Sequence, residues 1–171
     1  MAPPSRNQYT AEDLQRAGDR ILRRIMSRLQ RKQDFDPAIF VIGPEGEPIK
    51  VLVERDGLNS DAYKERTFAA VRTHAKEIRA QAVIMATDGF VHVYSKEEEQ
   101  RLATDPEYRQ RHDLYRDASI DDLVAAGFGR KVDAILLMCQ TPLYSILIQQ
   151  HYERAGTDGR HIVFGERIIA D

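Results

Sequence analysis

Tryptophan is absent from this 171-residue chain, cysteine occurs once, and aromatic residues make up only 8%. A lone Cys139 excludes an intramolecular disulfide, and its place in the apolar run Ala134–Cys139 fits a reducing compartment. Nothing near it in sequence would lower its pKa, so the thiol reads as a small hydrophobe rather than a nucleophile. No stretch approaches the roughly 18 apolar residues of a membrane span, and Met1–Arg6 has no apolar core of a secretion signal. A cytoplasmic setting is therefore expected. Metal and catalytic signatures are also missing: there is no His-Glu-x-x-His, no His-x-His, no cysteine pair and no glycine-rich phosphate loop. The chain thus leans away from an enzyme and calls for no cofactor and no metal. Internal repeats and low-complexity segments are absent as well.

What is present begins with charge. The net charge of −2 hides an asymmetry, because residues 1–33 carry eight Lys/Arg against three Asp/Glu, a local +5 that leaves −7 on residues 34–171. Within that basic stretch Arg16, Arg20, Arg24, Arg28 and Lys32 recur every fourth residue, beside an apolar ladder of Ala17, Ile21, Ile25 and Leu29 widened by Leu14, Leu22 and Met26. This is one long amphipathic helix with a cationic stripe. Like charges at such spacing cost about 0.2–0.5 kcal/mol per pair, so an anionic neighbour is expected to offset them. No Trp or Phe anchors the apolar side between Ala11 and Lys32, which weighs against a membrane surface.

The length suits one domain burying about 70% of its unfolded surface. Residues 1–10 read as a disordered tail, 11–33 as the basic helix with Thr10 and Asp13 at its capped start, and 34–171 as a single α+β domain. In that domain Ile39–Ile42 and Ile49–Val53 flank a Gly/Pro cluster and predict a β-hairpin; Asp61–Ala80 predicts a helix turning Phe68, Val71, Ala75 and Ile78 to a core. Ala82–Tyr94 is either a hairpin turning at Asp88-Gly89 or one strand with a bulge at Gly89, and the single strand is preferred. Residues 95–118 carry twelve charged side chains and form a charged helical insert, with a capping box at Ser95/Glu98 and a proline-started helix after Asp105. Three strands follow, in an antiparallel meander. The first, Val132–Thr141, is apolar on both faces and should lie centrally.

The expected fold is a mainly antiparallel five- to six-stranded sheet with one long helix packed on a face, the N-terminal amphipathic helix on the flank, and the charged insert. In element order this resembles the small sheet-and-helix modules of the roadblock and profilin-like type, which would imply a dimerising or partner-binding platform; the charged insert departs from that layout.

Function is expected to be non-enzymatic: a protein-interaction or assembly module, as a homo-oligomer or with a protein partner, using Arg16, Arg20, Arg24, Arg28, Lys32 and a sheet edge. The alternative is a small metal-dependent hydrolase in which Asp88, His92 and His151, joined by His161 or Glu153, converge under the insert. Nucleic-acid binding by the ladder is a second alternative, although the remaining chain is acidic. Tyr108, Tyr115, Tyr144 and Tyr152 are further candidate contact residues, since tyrosine suits interfaces.

Overall fold

A computed structural model describes residues 9–171. The reading of a disordered tail falls mostly on residues 1–8, outside those described. Tyr9 packs against the core, and Thr10 caps the first helix, α1 (Ala11–Gln30). The cap is reciprocal: the Asp13 N–H donates to the Thr10 hydroxyl at 3.1 Å while the Thr10 N–H donates to the Asp13 carboxylate at 3.0 Å. The Thr10 N–H, and after it the Thr10 hydroxyl donating at 2.8 Å, hold the Asp13 carboxyl below the usual carboxylate range.

The hairpin β1 (Ala38–Ile42) and β2 (Pro48–Leu52) leads through a tight turn at Asp56–Asn59 into α2 (Asp61–Glu77), then β3 (Ala82–Val93). Three short helices follow, α3 (Lys96–Thr104), α4 (Pro106–Asp113) and α5 (Ile120–Ala125), and the chain ends in the meander β4 (Arg130–Gln140), β5 (Ser145–Ala155) and β6 (His161–Ala170). The fold is α+β, with one six-stranded antiparallel sheet ordered β2-β1-β3-β4-β5-β6.

β3 is a single strand, as preferred, but without a bulge. Its pairing with β4 runs unbroken from Val83↔Gln140 to Val93↔Arg130, with Gly89 opposite Ala134. A Cβ at Gly89 would make only an ordinary contact, 3.4 Å from Leu136 Cδ1. The irregularity lies instead between β5 and β6, where register shifts between Gln150 and Tyr152.

Alternation sends successive side chains to opposite faces, and each face receives one helix. Ile84 and Ala86 of β3, with Ile135, Leu137 and Cys139 of β4 and Ile146 and Ile148 of β5, pack under α1. Val83 and Met85, with Ile39 and Val41 of β1, pack under α2. The helix α1 lies across β4, β5 and β6, on that flank of the sheet, and comes close: a Cβ on Gly18 would stand 2.7 Å from Ile148 Cδ1. Seven α1 residues are buried, Leu14, Ala17, Gly18, Ile21, Leu22, Ile25 and Leu29. In α2 only Val71 is buried.

Residues 94–129 are the elaborated loop of the β3–β4 hairpin. Phe128, Tyr108, His112 and Tyr115 gather into an aromatic cluster with ring centroids 5.3–5.8 Å apart about Phe128. Glu98 ties the loop shut: its carboxylate accepts from the Ser95 N–H and from the Gly129 N–H, each at 2.7 Å. Those backbone donors, Ser95 first, hold its carboxyl below the usual range. Gly129 has φ +64°, and a Cβ there would meet the Val93 carbonyl oxygen at 2.8 Å.

Candidate functional site

The apolar ladder of α1 is consumed by its own sheet, so its cationic side is what remains for anything else. Arg16, Arg20, Arg24 and Arg28 are all exposed. Positions four apart advance about 40° around a helix, so the row winds rather than running straight. Arg16, at one end of the winding, pairs with Glu12 at 2.5 Å. Arg20 lies beside Tyr9, whose hydroxyl is pushed up chiefly by burial.

Lys32 leaves the row. The helix ends at Gln30; Lys32 takes φ +61°, its N–H donating to the Leu29 carbonyl while the Gln33 N–H reaches back to Arg28. That is a Schellman closure, and its left-handed residue cannot continue a helical stripe. The cationic ladder on the helix is therefore Arg16 to Arg28.

Further along the winding, Arg24 and Arg28 come down to the sheet. With Lys50 of β2 they rim a cleft of about 180 Å3 whose walls include Ile21, Ile25, Phe35 and Phe40. One carboxylate, Asp36, also lines it. Three cations against one anion over an apolar floor favour an anionic group attached to an apolar one. Arg28 already donates to the Asp34 carbonyl at 3.1 Å, which holds that guanidinium at the rim. Lys50 was not singled out in sequence; it lies on the edge strand β2 opposite Phe40 of β1, so the basic helix and a sheet edge meet at this cleft.

The histidine–aspartate trio is not brought together. Asp88 pairs with Ile135 and His92 with Lys131, both on the α1 face and about 13 Å apart along one strand at 3.3 Å per residue. His151 pairs with Ala134, which puts it on the α2 face. Asp88 is engaged by Arg55 at 2.6 Å, and that guanidinium also donates to the Phe35 carbonyl at 2.9 Å. His92 Nε2 lies 2.7 Å from the Phe128 carbonyl, which can only accept, so this nitrogen carries the proton. His151 is buried, and its Nε2 has no hydrogen-bond partner among the described residues. His161 starts β6 opposite Ala155, and Glu153 pairs with Arg130 at 3.1 Å. Among the described residues no group of three His, Cys, Asp or Glu side chains is placed to hold a metal.

Cys139 is buried under α1, and burial pushes its thiol up to about 12, which leaves it without thiolate at neutral pH. Of the tyrosines, Tyr108 and Tyr152 are buried within the chain, and Tyr144 stays exposed beside the β4–β5 turn. No protein-family model, curated protein or solved structure matches the chain. Among the described residues no helix is long and apolar enough to cross a membrane.

Proposed function

We propose that this protein is a non-enzymatic interaction module that grips an acidic protein surface with the cationic side of α1 and the adjoining edge strand β2. The convergence of Arg24, Arg28 and Lys50 over an apolar floor carries this reading. Small-molecule sites occupy about 300–1,000 Å3. At about 180 Å3 the cleft admits one acidic side chain and its apolar neighbour rather than a whole cofactor. The acidic surface belongs either to a second copy, whose residues 34–171 carry −7, or to a different protein.

Deleting α1 would not test this, because its apolar side is part of the core. Charge reversal does. The triple variant Arg24→Glu/Arg28→Glu/Lys50→Glu should keep the wild-type melting temperature and lose either self-association in sedimentation or the acidic partner cross-linked in a lysate of the source cells. Unchanged mass and unchanged cross-links would contradict the proposal. Binding to duplex DNA whose affinity falls with salt at a log–log slope of about −0.9 per phosphate contact would assign the same cations to nucleic acid instead.

A further inference from the structure

The opposite face of the sheet carries a second surface. Register aligns Val51, Ile39, Met85, Met138 and Leu147 in one apolar row across five strands. At the β1 end α2 covers it and Ile39 is 1% exposed; at the β4 end Met138 is 48% exposed. β4 is apolar on both faces, the pattern of a strand covered on both, yet this half of its second face lies open.

The open half is the floor of a groove of about 910 Å3 between α2 and β3–β5. Its floor spans two inter-strand spacings, about 9.6 Å. Packed helix axes stand about 8–10 Å apart, so the groove is one helix wide. The charged side chains lining it are Arg72 and Lys76 of α2 and Arg79 just past its end, all cationic. Arg72 and Lys76, spaced i and i+4, share one side of the α2 wall; Arg79, at φ +53°, is the left-handed residue that closes the helix and adds its charge just beyond the end of that wall. Met85 and Met138 supply a floor that adapts to the side chains laid on it.

We infer that this groove receives an amphipathic helix of a partner protein, its apolar stripe on the Met85–Met138–Leu147 floor and its acidic flank against Arg72, Lys76 and Arg79. This is the helix-in-groove mode, with charge fixing which way round the helix lies. It does not rest on the α1 cleft, which lies on the other side of the sheet.

The test uses the full chain and two fluorescent five-turn helical peptides with the same leucine stripe, one flanked by Glu and the other by Lys. Anisotropy should show the Glu peptide binding at least about tenfold tighter than the Lys peptide. Arg72→Glu/Lys76→Glu/Arg79→Glu should invert that preference, and Met138→Asp should weaken the Glu peptide at least about tenfold with melting unchanged. Arg24→Glu/Arg28→Glu should leave both peptides unaffected, which separates this groove from the α1 cleft. Equal affinity for the two peptides, a preference that survives charge reversal, or no binding of the Glu peptide at high micromolar protein would overturn the inference. So would a wild-type dimer that Met138→Asp dissociates, which gives the face to a second copy, or saturable Met138-dependent binding of dodecanoate without peptide binding, which gives it to a small amphiphile.

Discussion

The two long helices share one sheet and meet opposite fates. α1 buries seven residues and approaches closely enough that Gly18 stands almost against Ile148; α2 buries Val71 alone and rests on half of its face. The difference lies in patterning. In α1 the apolar positions fall within one sector and every Arg lies outside it, so docking in cis satisfies the greasy side and leaves a cationic one. In α2 the half-buried Phe68 and Ala75, with Ile78 at its C-cap, alternate with charged neighbours, and the sheet beneath offers more apolar surface than the helix covers. The surplus sits on the side that α2 does not reach.

The largest effects that would break this comparison are core truncations. Ile25→Ala in α1 should cost about 2–5 kcal/mol in urea denaturation with the slope unchanged. Val71→Ala in α2 removes two methyl groups and should cost about 1–2 kcal/mol. Equal losses would remove the asymmetry. Next, Gly18→Leu should cost about 1–3 kcal/mol by overpacking against Ile148 and Cys139. Ala70→Leu, at an exposed α2 position, should stay within about 0.5 kcal/mol.

A third effect sharpens the role of the insert. Glu98→Gln should cost about 1 kcal/mol at neutral pH, through the capping bonds to Ser95 and Gly129. Because the folded carboxyl is held below its ordinary range, this stabilisation is present above the unfolded pKa and disappears as pH falls through the folded one. The wild-type and variant denaturation midpoints should therefore converge on acidification. A constant gap would show that the carboxylate charge is irrelevant. Smallest of all, Met138→Thr should change stability by no more than about 0.5 kcal/mol, whereas Leu137→Ala, one residue away on the α1 face, should cost about 2–5 kcal/mol.

Local chemistry made much of this legible in the sequence. Thr10 with Asp13, Ser95 with Glu98, and Asp105 before Pro106 each mark a helix start, and each caps one in the structure. The Gly/Pro cluster at 43–48 turns the first hairpin, and the last three strands form the meander. What was not legible depends on register. Asp88 and His92 share a face because they differ by an even number along one strand; His151 falls on the other because β4 and β5 pair it with Ala134, an offset that no local pattern specifies. Lys50 was hidden for the same reason, since only the fold brings β2 beside α1. Lys32 kept the four-residue spacing but not the helix, because Asp34, Asp36 and Pro37 mark the end of the segment without revealing which residue turns left-handed.

Native-state hydrogen exchange, followed residue by residue, tests the central asymmetry most directly. The central amides of α1, from Ile21 to Ile25, should exchange only through global unfolding, while those of α2 around Val71 should exchange faster through local opening. Equal protection in the two helices, or faster exchange in α1, would contradict it.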